Sequence, residues 1–150
     1  MKTHRGRQLV LAGALVAVVA CMSVGGVGRR AVYTGSRYEV CIAAQAAVKD
    51  LGGRVITANC ETGTIVGRLD AEGTPVRLDI AMDQNPTAGR SATSGAPPID
   101  LAVHASLVGM DEPGKRWLDQ LGRIADHYLE LVRQRLGRRE GPAGNAGLRP

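Results

Sequence analysis

Residues 54–82 alternate between apolar and polar side chains, the pattern of strands that bury only one face of a sheet. Turn-forming residues at 61–63 and 70–73 divide this stretch into three runs, which predicts a three-strand meander. A fourth alternating run covers residues 99–107. The side chains expected to face the core are Ile56, Ala58 and Cys60, then Ile65, Gly67 and Leu69, then Val76, Leu78, Ile80 and Met82, and finally Ile99, Leu101, Val103, Ala105 and Leu107.

Helical patterns lie on both sides of these strands. Residues 37–51 carry one apolar stripe, and Gly52 and Gly53 follow as a C-terminal cap that needs a positive φ. A last helix is expected to open at Asp111 and Glu112 and to end at Gly137. Its apolar stripe consists of Trp117, Leu121, Ile124, Tyr128 and Val132.

The order α-β-β-β-β-α predicts an α+β fold, a two-layer sandwich with two helices on one face of a mostly antiparallel four-stranded sheet. Residues 31–35 add a short lead-in strand. The domain is expected to cover residues 31–136 and to contain a flexible loop at 84–98, because that loop is rich in Pro, Gly, Ser and Thr. A disordered tail over residues 137–150 completes the chain.

The N-terminus has the layout of an export signal. A basic patch with Lys2, Arg5 and Arg7 precedes an apolar run at 9–20, which is too short to span the roughly 30 Å hydrocarbon core. Val18-Val19-Ala20-Cys21 resembles a bacterial lipobox, whose cysteine takes a diacylglycerol after cleavage at its N-terminal side. We therefore expect a signal peptide at 1–20, a lipidated Cys21 and a Gly-rich tether up to residue 30.

Two other interpretations of the N-terminus stay open. An ordinary secretory signal cut after Ala20 fits the small-residue rule at the same bond. A single membrane anchor that runs on through the glycine-diluted residues 21–28 is the weaker alternative. The lipobox interpretation predicts a protein of the cell envelope that is anchored to a membrane by lipid and faces outside the cytoplasm, in the periplasm or at the cell surface.

The formal net charge of +5 does not indicate nucleic-acid binding. The basic surplus lies in the signal, the tether and the tail, whereas residues 31–136 contain 11 basic and 13 acidic side chains. Three Tyr, one Trp and no Phe also provide few stacking surfaces for bases. We expect contact with a membrane through the anchor and with an envelope protein, but not with nucleic acid.

Cys41 and Cys60 are expected to form a disulfide. With Cys21 acylated they are the remaining two of three cysteines, and exported domains usually oxidise such pairs. A helix running about 15 Å from Cys41 to its end, followed by a strand running about 20 Å back, returns Cys60 to the level of Cys41.

Several segments together resemble a family of small, uncharacterised bacterial lipoproteins made of one α+β domain. The resemblance covers roughly residues 18–136 and implies the fold and the envelope address, but no active site. The segments that carry it are the lipobox, a Tyr-x-x-Gly lead-in, the helix end Lys49-Asp50-Leu51-Gly52, the strand Gly63-Thr64-Ile65-Val66-Gly67, the run Val76-Arg77-Leu78 and the turn Val108-Gly109-Met110-Asp111-Glu112. The 84–98 loop and the Cys41/Cys60 pair depart from the family pattern.

The chemistry-bearing residues do not form a known catalytic or metal motif. Cys41, Cys60, His104 and His127 have no short ligand spacing, so neither a metal nor a cofactor is expected. His104 and Ser106 share a strand face without a nucleophile elbow, and we expect no enzyme activity.

The outer sheet face is the surface where a partner could bind. Its candidate residues are Arg68, Arg77, Asp79, Asp100, His104 and Ser106. The first hypothesis is a non-catalytic envelope protein that acts through protein contacts. The alternative is a module that binds a small ligand, a lipid or a cell-wall fragment.

Overall fold

The computed structural model describes residues 25–84 and 97–138. They form an α+β fold with one antiparallel sheet and two helices, as the alternation predicted, but the sheet has five strands instead of four. The strand order across the sheet is β1-β5-β4-β3-β2. In chain order the elements are β1 (Gly26–Tyr33), α1 (Arg37–Asp50), β2 (Arg54–Asn59), β3 (Thr64–Ala71), β4 (Thr74–Gln84), β5 (Ile99–Leu107) and α2 (Lys115–Gly137).

Strand β1 is the main difference from the prediction. Residues 26–30, assigned to a tether, pair with β5 and continue into the predicted lead-in strand. Glycines and arginines concealed this strand because they give no apolar alternation. The arginines are accommodated on opposite faces: Arg29 Nε lies 3.0 Å from Asp126 on α2, and Arg30 forms an ion pair with Asp100 on β5. The folded part therefore begins at least five residues earlier than expected.

The inward face of β2 was predicted wrongly at one position, Ile56. Ile56 is half exposed, whereas Val55 is partly buried and packs against the core. The reason is a register shift between Val55 and Thr57, which is a β-bulge or a similar irregularity. An extra residue exchanges the faces of the side chains before it. The edge strand β2 thus presents Ile56 to solvent.

The core lies between the sheet and the two helices. The predicted inward side chains of β4 and β5 are buried, as are Ile65 and Leu69 on β3. Tyr128 on α2 is fully buried, and its hydroxyl donates a hydrogen bond to the Ala44 carbonyl oxygen on α1 at 3.2 Å. Burial raises the pKa of this phenol. This buried bond joins the two helices.

Both ends of α1 are capped by recognisable residues, whereas the start of α2 differs from the prediction. Ser36 and Glu39 form a capping box at the start of α1, and Gly52 after its end has the expected positive φ of 78°. Helix α2 begins at Lys115 and not at Asp111. Pro113 explains the shift, because the residue before a proline disfavours helical backbone. The two acidic residues thus precede the first turn of α2.

Four predictions concern parts of the chain outside the described residues. These are the signal at 1–20, the lipidation of Cys21, most of the loop at 84–98 and most of the tail at 137–150. Within 25–84 and 97–138, neither helix is both long and apolar enough to cross a membrane.

Candidate binding face

The sheet has one face that the helices do not cover. Along β5 the side chains alternate between buried and half-buried, and the half-buried ones point away from the helices. Strand β4 repeats this pattern with more exposed positions. We call this surface the outer face. Within the described part of the chain, no element packs on it.

Three arginines lie side by side on the outer face. The register pairs Arg54 with Arg68 and Arg68 with Arg77, so the residues occupy neighbouring positions on β2, β3 and β4. Ser106 on β5 and Gly26 on β1 continue the same line. Adjacent strands lie about 4.8 Å apart, so the line of arginines extends roughly 10 Å. We call Arg54, Arg68 and Arg77 the arginine row.

Only one member of the arginine row has a carboxylate partner among the described residues. Arg77 binds Asp79, two residues on and on the same face, with its Nε 2.9 Å from both carboxylate oxygens. This hydrogen bond raises the pKa of Arg77. Neither Arg54 nor Arg68 forms an ion pair within residues 25–84 and 97–138. The row with Asp79 therefore carries a net charge of about +2.

A shallow cleft of about 610 Å³ lies beside the arginine row. Arg68, Arg77 and Asp79 supply its charged lining, and Ser106 supplies a hydroxyl. Ile56 and Val108, which are both substantially exposed, add an apolar lining. We call this site the outer cleft. Its lining combines charged and apolar groups, as binding surfaces for amphipathic partners do.

The six predicted outer-face residues do lie on this face. Arg68, Arg77, Asp79 and Ser106 line the outer cleft. His104 is opposite Asp79 in the register, and its ring lies over the start of β1, where a side chain on Gly26 would collide with it.

Asp100 lies at the other end of β5, six residues from Ser106, and forms the ion pair with Arg30. Two important residues of the site were missed. The shift in β2 turns Arg54 and Ile56 outward, and no sequence pattern signals such an irregularity.

The cysteines meet on the helix side of the sheet. Cys41 on α1 and Cys60 after β2 lie at disulfide-bonding distance, with 5.6 Å between their Cα atoms. Gln45 Nε2 lies 3.5 Å from each sulfur. His104 is on the opposite face of the sheet. Among the described residues, no three His, Cys, Asp or Glu side chains gather so that they could hold a metal ion.

His104 and Ser106 share the outer face, as predicted, but the nearest carboxylate serves another residue. Asp79, the cross-strand neighbour of His104, directs both oxygens to Arg77. A histidine acting as a general base needs a partner that orients its ring. The carboxylate opposite His104 in the register is thus held by Arg77.

A second concave surface of about 450 Å³ lies between edge strand β1 and helix α2. Tyr33, Leu129 and Leu136 contribute apolar lining, and Glu130 and Arg133 contribute charges. The Tyr33 hydroxyl donates a hydrogen bond to the Leu129 carbonyl oxygen at 2.7 Å, and burial raises the pKa of Tyr33 to about 12. We call this surface the β1–α2 groove.

A scan against models of protein families gives no match to this chain, and a search of curated proteins also gives none.

Proposed function

We propose that this chain is an exported, lipid-anchored envelope domain that acts without catalysis, by binding a partner protein on its outer face. The observation that carries the proposal is the sheet face that no described element covers, where Arg54 and Arg68 have no ion-pair partner among residues 25–84 and 97–138 and lie beside the outer cleft. Exposed Ile56 and Val108 at the same place supply apolar contact. Arg54 and Arg68 are directly opposite each other in the register, and like charges in that position do not stabilise a sheet.

The chemistry of the outer face supports binding in preference to a reaction. Its charged groups are solvent-accessible, and the one carboxylate beside His104 is held by Arg77. In the same proposal Cys41 and Cys60 form a disulfide in an oxidising compartment, which stabilises a domain with a small core. The resemblance to small lipoproteins supports the same address.

The partner-binding role can be tested by site-specific photocrosslinking in the native cell. A photoreactive residue is introduced at Thr64 or Ala81, both exposed on the outer face, and at Arg123 or His127, both exposed on α2. We expect one discrete crosslinked product from the two outer-face positions and none from the α2 positions. Equal labelling from both surfaces, or no product from the outer face, would contradict the proposal.

The anchor is tested separately. Cells are fed an alkyne-bearing fatty acid, and the wild-type chain is compared with a Cys21→Ser variant. We expect label on the wild type only, at a mature N-terminus that begins with Cys21. An unlabelled mature chain that starts at the same residue would support the ordinary secretory signal and refute lipidation. The outer-face proposal does not depend on this result.

The alternative function, a module for a small ligand, a lipid or a cell-wall fragment, is favoured by one observation, the β1–α2 groove. Its apolar lining with flanking charges suits an amphiphile. Substituting Leu129 with Glu in the groove would abolish such binding, whereas crosslinking from Thr64 would be unaffected. This variant separates the two functions.

A further inference from the structure

The arginine row is an arrangement that folding alone does not favour. Like charges directly opposite each other on neighbouring strands are destabilising, and the row contains two such pairs, Arg54 with Arg68 and Arg68 with Arg77. Asp79 compensates one guanidinium. The basic and acidic side chains of residues 26–136 are equal in number, 13 of each, so the row is a local excess in a neutral domain. Its remaining positive charge is available to an anionic partner.

The shape of the row indicates which kind of anion it suits. A site for a single phosphate brings several donors toward one point and commonly includes backbone N–H groups. Here the three side chains lie on neighbouring strands about 4.8 Å apart, and the side chain of Arg77 is 54% exposed. A line of separate, solvent-accessible guanidinium groups suits a line of separate carboxylates. Acidic side chains along a polypeptide provide such a line.

The apolar residues beside the row strengthen the choice of a polypeptide. Ile56 and Val66 lie on the β2 and β3 side of the outer cleft, and Val108 lies at the end of β5. Ile56 is 50% exposed and Val108 is 42% exposed. A partner whose carboxylates contact the arginines could therefore place intervening apolar side chains in the cleft. Inorganic phosphate has no group to occupy this part of the site.

We propose that the arginine row and the outer cleft together bind an acidic segment of the partner protein. Carboxylates of the segment pair with Arg54 and Arg68, and apolar side chains of the same segment contact Ile56 and Val108. Arg77 is held in place by Asp79 and borders the site. The inference rests on the proposed function, because it names the chemistry of the partner that the outer face receives.

A binding titration with the full chain in a nonionic detergent tests this proposal. The probe is an eight-residue peptide with blocked ends in which Glu-Glu and Leu-Leu pairs alternate, so that each face of the extended chain carries both residue types. Its counterpart has Lys in place of Glu. We expect the wild type to bind the acidic peptide only, and more weakly as salt is raised, because the charges are exposed. The double variant R54E/R68E should bind the acidic peptide at least about tenfold more weakly and should gain affinity for the basic peptide.

Two controls make the result specific. R123E reverses one charge on the exposed part of α2 and should leave affinity for the acidic peptide within about twofold of wild type. R54Q/R68Q removes the charges without reversing them, and its urea midpoint should be no lower than that of wild type because cross-strand repulsion is relieved. Equal affinities of wild type, R54E/R68E and R123E would overturn the proposal.

Competition experiments separate a polypeptide from other anions. Pyrophosphate, or micelles of the same detergent that contain an anionic phospholipid, should not displace the peptide at matched charge concentration. Displacement by pyrophosphate would reassign the row to a phosphate group, and displacement by the anionic micelles but not by micelles with a zwitterionic phospholipid would reassign it to a membrane surface. Either result overturns the acidic-segment proposal.

The failure of this inference and the failure of the proposed function give different results. If crosslinks from Thr64 persist unchanged in R54E/R68E cells, the partner binds the outer face but not the arginine row. If wild-type cells give no crosslink from Thr64, the proposed function itself fails.

Discussion

A disulfide between Cys41 and Cys60 would close a loop whose ends are 19 residues apart in sequence. In the chain-entropy model, cross-linking a loop of this size stabilises the folded state by about 3 kcal/mol, mainly by restricting the unfolded chain. Single domains unfold with about 5–15 kcal/mol in total, so this contribution is a large share. Reduction of the pair should therefore weaken the domain strongly.

Urea denaturation of the oxidised and reduced wild type measures this contribution directly, because reduction leaves almost every side-chain atom in place. With a denaturant dependence of about 1–3 kcal/mol per molar urea, a loss of about 3 kcal/mol shifts the midpoint down by roughly 1–3 M. The double variant C41A/C60A serves as the control. Its midpoint should not respond to reductant, and it should lie below that of the oxidised wild type.

Two results would refute this reasoning. Oxidised and reduced wild-type chains with the same midpoint would mean that the loop closure contributes nothing to folding. Mass spectrometry that finds two free thiols in the exported, unreduced domain would mean that the pair does not form a disulfide in the cell.

Three further predictions concern packing and electrostatics. Y128F should lower the free energy of unfolding by about 1 kcal/mol in urea denaturation, because the buried hydrogen bond to the Ala44 carbonyl oxygen is lost. Y38F, at an exposed position, should leave it unchanged, and equal effects of the two variants would contradict a stabilising role of the buried bond. G67A should lower the free energy of unfolding by about 1–3 kcal/mol, because the added Cβ would lie 2.9 Å from Val48 Cγ1, and this loss should be smaller when G67A is made in a V48A background. In the control G28A the added Cβ faces open space, so a G67A urea midpoint equal to that of G28A would contradict the close contact. The hydrogen bond from Arg135 lowers the pKa of Asp50 in the folded state. The stability advantage of wild type over D50N should therefore be complete above the unfolded-state pKa, about 3.9, and should vanish as the pH falls through the lower folded-state pKa. An advantage that persists in strong acid would point to another cause.

The alternation of β3, β4 and β5 was sufficient to predict the core, because these strands bury one face and leave the other in water. Leu78 and Val103 could be assigned to the core by period alone, and both are buried. Helix α2 was predicted for the same reason, since its apolar residues recur at helical spacing. Its start was misplaced because the acidic pair before Pro113 imitates a first turn.

Strand β1 and the irregularity in β2 could not be predicted from the same patterns. Arg29 on the helix side of β1 pairs with Asp126, which is 97 residues away in sequence. No local pattern contains that pairing. The outward position of Arg54 likewise depends on one extra residue in β2, which changes the face of every side chain before it. The predicted outer-face residues thus lie together on one side of the sheet, but the predicted set lacked Arg54.

The early start of β1 has a consequence for where a partner can be found. If Cys21 is acylated as proposed, five residue steps join the lipid to Gly26, and a chain of that length reaches at most about 18 Å. Gly26 lies in the same line across the sheet as the arginine row. The domain would then stay near the membrane, with the β1 edge of the sheet closest to the lipid, and a soluble partner deep in the compartment would have to come to the membrane to bind it. A partner that is itself anchored nearby would gain from the raised effective concentration of two molecules confined to one surface.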